Sequence, residues 1–290
     1  MIDLNGAIDI HVHAGPEIFT RIGSVIDIAR RACDRGMAGL ALKSHHEPSV
    51  TRAVLAKQVV PLIELWGGIT LNAFVGGINP IAVASALDLG GRIVWMPTMH
   101  AQNHINILGA GTYGIPTMTL VKGTVPTKGI TILDEKGALT PETETIVDLV
   151  VSYNAAIATS HLSEREIRTL LNRCREKGAR CVISHAFFPK HSPEFLAEMA
   201  ALGAIIEISA VVTYPMARHL AGGMSLAQAR DLIKAVGAKK VVISSDSGQI
   251  HNPWPADILQ SFLVSLNAVG ISEAEIREMV IARPREVLGL

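Results

Sequence analysis

Charge, cysteine and aromatic residues are all scarce in this chain of 290 residues. Charged residues make up 18% of it, and 26 basic side chains balance 26 acidic ones, so the formal net charge is zero. A neutral chain lacks the basic surface on which binding to nucleic acid or to an anionic membrane depends. The longest apolar runs, such as Val241-Val242-Ile243, are far too short to span a bilayer. We therefore expect neither a nucleic-acid partner nor a membrane partner.

The three cysteines, Cys33, Cys174 and Cys181, are an odd number and follow no spacing pattern of a disulfide framework or a metal site. The chain opens without a basic segment followed by an apolar one, so we expect no secretory signal. Both features favour a reducing, cytoplasmic setting. Hydrophobic residues make up 49% of the chain, which is typical of a globular protein with a large core.

The apolar pattern repeats one unit, a short buried strand followed by a polar loop and an amphipathic helix. Strands are predicted near 7–13, 38–43, 69–75, 92–96, 155–160, 180–185, 204–209 and 241–245. Helices are predicted near 24–36, 49–62, 80–89, 142–152, 164–177, 193–202, 226–236, 256–269 and 273–282. This repeat predicts an α/β fold, a (β/α)8 TIM barrel that spans residues 1–290 as a single domain. A doubly wound open sheet is the alternative.

One segment interrupts the repeat after the fourth predicted strand. Residues 98–140 are rich in Gly, Thr, Asn and His, and unstructured loops of this length are usually functional. Within it, residues 131–140 are compatible with a small hairpin. We predict that residues 98–140 form a lid or a substrate-binding insertion, and a contact between copies in a homo-oligomer is the alternative.

Histidines concentrate at the predicted strand ends. His11 and His13 alternate in the apolar run Ala7-Ile8-Asp9-Ile10-His11-Val12-His13, so both imidazoles should point to the same side of the first strand. His161 ends the fifth predicted strand and His185 ends the sixth. Asp246 follows the eighth strand directly. In a β/α barrel these ends form one face, which is where such barrels carry their active sites.

Together these residues resemble the amidohydrolase superfamily of metal-dependent hydrolases, in a compact branch without the extra β-sandwich domain. The segment Ala282–Leu290 also resembles the closing segment common there, with Ala-Arg where Asn-Pro is frequent. The resemblance implies His11 and His13 on a first metal, and His161 and His185 on a second metal or on the substrate. It implies Asp246 as a ligand and a proton shuttle, and it implies a catalytic role for His185 in polarising the substrate carbonyl. We expect one or two divalent ions per chain, Zn²⁺ first, with Mn²⁺ or Fe²⁺ as alternatives.

The sequence departs from that family at the fourth strand, which offers no bridging lysine or glutamate. Lys43 ends the apolar second strand instead. Three roles are open for it: a carbamate that bridges two metals, a cation that binds an anionic substrate, or a structural salt bridge to Asp9 or Glu207.

Five further residues near strand ends are candidates for substrate binding: Arg21, His45, His46, His100 and His251. A guanidinium at position 21 suits a substrate carboxylate, although a solvated loop arginine is an equal alternative. His45 or His46 could also be metal ligands, as in related phosphoesterase barrels.

We therefore expect a hydrolase of a small-molecule amide or cyclic amide C–N bond, with metal-bound hydroxide as the nucleophile. A lactonase or carboxyl-ester hydrolase and a phosphoesterase are alternatives on the same site. A non-catalytic barrel that binds a metal or a ligand is the alternative from another class.

Overall fold

The computed structural model describes residues 2–120, 126, 128–186, 191–214 and 223–290, and in these residues strands alternate with helices. The strands are β1 Ile8–His13, β2 Gly39–Lys43, β3 Glu64–Trp66, β4 Gly68–Thr70, β5 Ile93–Trp95, β6 Ala156–Ala158, β7 Arg180–Ile183, β8 Ile205–Ser209 and β9 Val241–Ser244. The helices are α1 Val25–Asp34, α2 Val50–Val59, α3 Pro80–Asp88, α4 Gln102–Leu108, α5 Pro141–Ser152, α6 Glu164–Lys177, α7 Pro193–Ala201, α8 Leu226–Val236, α9 Pro255–Ala268, α10 Glu273–Arg277 and α11 Arg283–Leu288. No helix among the described residues is both long enough and apolar enough to cross a bilayer.

The strands form a closed parallel barrel. Neighbours pair in chain order from β1 to β3 and from β4 to β9, and only Gly67 separates β3 from β4, which together make one barrel strand. The ring closes at a seam between β9 and β1, where Asp246 N donates to His11 O and His13 N donates to Ser247 O, both at 2.9 Å. The predicted (β/α)8 TIM barrel is confirmed.

The third barrel strand lies earlier than predicted. It runs from Glu64 to Thr70 rather than over 69–75, and residues Ala73–Val75 form a 3-10 turn. Gly68 lies so close to β5 that a Cβ atom there would be 2.0 Å from Ile93 O, so the glycine pair serves close strand packing and does not mark a loop. At the strand end, Asn72 Nδ2 donates to His45 O at 3.0 Å and turns the chain.

An irregularity in β1 decides which side chains reach the barrel interior. Ile10 packs in the inner core with Trp95, whereas Val12 packs in the outer core between strands and helices. The pairing register of β1 and β2 shifts between Asp9 and Val12. The His11 ring therefore also faces the interior, 6.3 Å from the Trp95 ring, and His13 points the same way, as predicted.

The segment after β5 contains α4 and the predicted hairpin. Asp134 N donates to Ala138 O at 2.8 Å, and Thr140 N donates to Ile132 O at 2.9 Å, which confirms the hairpin. Residues 121–125 and 127 of the predicted lid 98–140 lie outside the described residues, and its action as a lid stays a prediction.

The last helical segment is longer than the predicted 273–282. Helix α10 continues through a π turn at Glu278–Ala282 into α11. Val287 and Leu288 then pack into the inner core at the amino ends of the strands, opposite the end that carries the site.

Candidate metal centre

Side chains from both sides of the barrel seam meet at the carboxyl ends of the strands. His11 and His13 extend from β1, and Asp246 follows β9. Asp246 Oδ1 lies 3.2 Å from His11 Nε2 and 3.2 Å from His13 Nε2. The donor atoms of these three residues lie within 4.8 Å of one another, a spacing that one metal ion can bridge.

Two more predicted ligands adjoin this group. His185 Nδ1 lies 3.3 Å from Asp246 Oδ2, and the His185 ring centroid is 5.0 Å from that of His11. The His161 ring lies 5.2 Å from His185 on its other side. The four histidines and the aspartate predicted from the sequence are thus brought together.

The backbone holds three post-strand residues in the left-handed region. The φ angles are 50° at Ser160, 53° at His185 and 49° at Asp246. Such angles are uncommon in non-glycine residues and cost of order 1–3 kcal/mol each, and they cluster at functional sites. Here each one turns the chain sharply at a strand end and aims a site side chain inward.

Glu207 fixes the tautomer of His11. This glutamate lies on β8, and its Oε1 is 2.8 Å from His11 Nδ1 and accepts a 2.6 Å hydrogen bond from Ser244 Oγ. Burial opposes ionisation of Glu207, but its interactions with His11, His185 and Ser244 together outweigh burial and lower the pKa of the carboxyl. A carboxylate only accepts, so His11 carries its proton on Nδ1 and presents the Nε2 lone pair to Asp246. Nε2 is buried and has no hydrogen-bond donor among the described residues.

Three histidines of the site, His11, His13 and His161, are in the neutral state that binds a metal. Burial lowers the pKa of His11, and it lowers the pKa of His13 and His161 well below the ordinary value. Burial also opposes ionisation of Asp246, but its contacts with His11 and His185 outweigh burial and hold the pKa of this carboxyl well below its usual range. Neutral imidazoles around a carboxylate, one of them with an orphan lone pair, fit a divalent transition metal.

Lys43 reaches the same interior from β2. It pairs in register with His13 across the β1–β2 ladder and is 2% exposed, with Nζ 5.8 Å from the Trp95 ring centroid. Burial lowers the pKa of its ammonium group to about 8. Among the described residues Lys43 forms no ion pair, so the alternative of a direct salt bridge to Asp9 or Glu207 is not seen.

A second cluster lies beside His13. Arg21 Nη2 is 3.3 Å from His13 Nδ1 and 3.1 Å from His45 Nδ1, and it also donates to Glu17. His45 Nδ1 lies 3.1 Å from Glu17 Oε2. The Arg21 side chain is buried, and burial lowers its pKa to about 10. The alternative of a solvated loop arginine is therefore wrong.

The insertion after β5 adds two aromatic side chains to the site. Tyr113 OH is 3.0 Å from His45 Nε2, and its ring lies 5.8 Å from that of His161. His104 Nδ1 is 2.7 Å from His161 Nδ1, and the two rings stack. Residues of the predicted lid thus contact both clusters.

The family of this chain has no assigned activity. Residues 6–207 match the model of a family of unknown function, DUF6282. The chain belongs to this family. No curated protein matches its sequence.

Solved structures similar to this chain are hydrolases by name. An amidohydrolase from Pseudomonas aeruginosa is 13% identical, with a TM-score of 0.62 over 98% of this chain and 97% of the other. The probable dipeptidase PvdM from P. aeruginosa is also 13% identical, with a TM-score of 0.66 over 98% and 94%. An organophosphorus hydrolase from Deinococcus radiodurans is 15% identical, with a TM-score of 0.60 over 98% and 92%. These similarities show that the chain shares its barrel fold with these proteins, as the sequence predicted.

The remaining predicted substrate residues lie at different distances from the cluster. His46 is half-buried, with Nδ1 3.3 Å from Glu17 Oε1. His100 accepts a 3.1 Å hydrogen bond from Ala73 N and packs on Phe74, so its described contacts are with the turn after β4. His251 is half-buried in the loop after β9, and its Nδ1 has no partner among the described residues.

The sequence did not assign four residues to the site, Glu17, His104, Tyr113 and Glu207, although Glu207 was considered as a salt-bridge partner of Lys43. Glu207 carries a usable signal, because it is a carboxylate inside the apolar run Ile205–Ser209. Glu17, His104 and Tyr113 lie outside the strands, and their sequence neighbours carry no pattern that would single them out.

Proposed function

We propose that this protein is a metal-dependent hydrolase that cleaves an amide or cyclic amide C–N bond in a small molecule. The observation that carries the proposal is the approach of His11 Nε2 to Asp246 Oδ1 at 3.2 Å. Because Glu207 holds the proton of His11 on Nδ1, both atoms present lone pairs to the same point, and a divalent cation satisfies them. The hydrolase names of proteins with this fold support a hydrolase.

The chain offers ligands for one or two ions. His11, His13 and Asp246 would hold the first, and His161 with His185 would hold a second or contact the substrate. Imidazole and carboxylate ligands suit Zn²⁺, with Mn²⁺ and Fe²⁺ as alternatives. Elemental analysis of protein expressed with each metal supplied would give the identity and the count.

The residues around the ion have separable tasks. When bound, the ion supplies Lewis acidity, which lowers the pKa of a water molecule to about 7. Asp246 would accept the proton of the attacking water and return it to the leaving nitrogen. His185, whose Nδ1 lies 3.3 Å from Asp246 Oδ2, would stabilise charge that develops on the carbonyl oxygen.

The substitution Asp246→Asn tests this mechanism. We expect turnover of dihydrouracil or hydantoin, as cyclic amide probes, to fall by at least about 100-fold, because the amide cannot shuttle a proton. Asp148→Asn on the outer helix α5 is the matched control and should keep full activity. Metal content is measured in both variants, so that loss of the ion is separated from loss of the proton shuttle. Undiminished turnover in Asp246→Asn would refute the assignment.

A phosphoesterase is the second candidate, and one observation favours it. Donor atoms of His13, Glu17 and His45 lie within 4.8 Å of one another, so the histidine after β2 belongs to a second metal-type group. Diethyl 4-nitrophenyl phosphate and γ-butyrolactone, assayed beside the cyclic amides, discriminate among the bond types. A metal-loaded protein that turns over none of these probes would favour a binding barrel.

A further inference from the structure

Lys43 is a buried cation that forms no direct ion pair with any of the described residues. It is 2% exposed, and no described residue forms an ion pair or a hydrogen bond with it. A buried ammonium group without a partner is costly, and proteins compensate such groups with a charge or with hydrogen bonds. Trp95, 5.8 Å away, offers only a ring face.

Two carboxylates, Asp246 and Glu207, act on Lys43 through their charge, and these two and Glu17 already have partners. Glu207 accepts from His11 and from Ser244. Asp246 contacts His11, His13 and His185. Glu17 accepts from Arg21 and lies beside His45 and His46. None of these three carboxylates forms an ion pair with Lys43 among the described contacts.

Arg21 independently has donor atoms without a partner among the described residues. Its Nη2 makes every contact described above, while Nε and Nη1 are buried and have no partner among the described residues. Arg21 and Lys43 lie on either side of His13, one through a 3.3 Å contact and the other through strand register. A ligand that carries an acceptor would satisfy both cations at a position next to the metal centre.

We propose that the substrate carries a carboxylate group, which pairs with Lys43 and lies beside His13, and that Lys43 acts as a cation rather than as a carbamate bridge. The inference rests on the proposed function, because it names the substrate class of that same site. The register of Lys43 with His13 places the carboxylate next to the metal ligands, so the scissile bond would lie close to the anionic end of the substrate.

Binding to metal-free protein tests the inference without any turnover. Protein dialysed against a chelator is titrated calorimetrically with three acid–amide pairs: acetate and acetamide, benzoate and benzamide, and pyroglutamate and pyroglutamide. We expect at least one acid to bind ten times more tightly than its amide. The preference should disappear in Lys43→Met and persist in Lys43→Arg, which keeps the charge. Lys57→Met, on the surface of α2, is the matched control and should keep the preference.

Three results would overturn the inference. They are equal binding of acid and amide in every pair, an acid preference that survives in Lys43→Met, and a mass increase of one CO₂ on Lys43 in the metal-loaded protein. Acid preference without hydrolysis of any probe would support this inference and remove the proposed hydrolase. Hydrolysis of a probe by a protein that binds acids and amides equally would support the proposed hydrolase and overturn this inference.

Discussion

The protonation of His11 depends on a single neighbouring side chain. Glu207 accepts from His11 Nδ1 and leaves Nε2 free on the side of Asp246. Such carboxylate–histidine pairs orient metal ligands and raise their basicity. At this position a glutamate would therefore contribute to metal binding through the orientation of His11.

The substitution Glu207→Gln should weaken metal binding by about 10–100-fold, because the amide can donate to His11 and no longer fixes the tautomer. Competition between the protein and a chromogenic chelator for Zn²⁺ measures the change. Glu198→Gln, at an exposed position on α7, should bind Zn²⁺ like the unmodified chain. Equal affinities in the two variants would exclude this role for Glu207.

Tyr113 attaches the insertion to the barrel. Its hydroxyl lies 3.0 Å from His45 Nε2 in a buried setting, and burial raises the pKa of the phenol, so it stays a donor at neutral pH. We expect Tyr113→Phe to lower the free energy of unfolding by about 1 kcal/mol, because a buried hydrogen bond is lost. Tyr153→Phe is the control, since that hydroxyl contacts Asp88 at the exposed surface. Urea unfolding compares the two, and a larger loss in Tyr153→Phe would contradict the assignment.

The predictability of single residues followed their place in the chain. His11, His13, His161, His185 and Asp246 could be found because each lies in or just after a predicted strand, which gives its level in the barrel. Their inward direction depends on the irregularity in β1 and on the left-handed backbone after the later strands, and the sequence shows neither. Glu17, His104 and Tyr113 could not, because a loop carries no periodicity and its contacts are made with residues far away in sequence. The role of Glu207 needed the structure, since the sequence does not show that β8 faces His11.

Three helices begin with hydrogen bonds between residues that are close together in the sequence. Capping boxes are present at Ser163, Ser225 and Ser272, with reciprocal bonds between the serine and the residue three positions later. These bonds involve only neighbours in sequence, so the sequence alone suffices to predict them. The third barrel strand was misplaced for the opposite reason, because the function of Gly67-Gly68 depends on close contact with β5 and α2.

Glu275 in the first turn of α10 makes one helix start sensitive to pH. Its bonds to Lys234 and to Ser272 lower the pKa of the carboxyl to about 2, below an ordinary value of 4.5. A carboxyl group with a lowered pKa stabilises the folded state at pH values above its ordinary pKa of 4.5. This contribution is lost as the pH falls toward 2. Because the pair is largely exposed, we expect Glu275→Gln to cost less than about 1 kcal/mol at pH 7.

The difference in the free energy of unfolding between Glu275→Gln and the unmodified chain should become smaller as the pH is lowered from 7 to 3. Thermal unfolding at several pH values measures it. Glu273→Gln changes a carboxylate in the same turn that has no ion pair among the described contacts, and it serves as the control. A constant difference between pH 7 and pH 3 would show that the charge of Glu275 is not the cause.

Closure of the barrel is a property of the whole molecule. Gly248 lies at the seam with φ +131°, and a Cβ atom there would be 1.8 Å from His13 O. We expect Gly248→Ala to destabilise the protein by more than about 3 kcal/mol, through overlap with the β1 backbone and strain at a φ suited to glycine. Gly90 also has a positive φ, but a Cβ atom there would meet no atom within 4 Å, so Gly90→Ala measures the cost of backbone strain alone. Similar losses in the two variants by chemical unfolding would refute a special role of the seam.

The repeating strand–helix unit made the barrel predictable, because each unit is local in sequence. The seam was not visible in the sequence, since its contacts join the first and last strands. Asp9 Oδ1, for example, accepts a 3.0 Å hydrogen bond from Ser245 N, 236 residues away. The closed ring of strands, which joins the first strand to the last, supports the proposal that residues 1–290 form a single domain.

This seam has a consequence for the lifetime of the folded state. The barrel can close only after nearly the whole chain has been brought together, so closure belongs to the late and slow part of folding. An ion held by His11 on one side of the seam and by Asp246 on the other would link the first strand to the last. Its main effect would then be on the rate at which the ring opens, and the loaded protein would survive heat and proteases for far longer than the free chain.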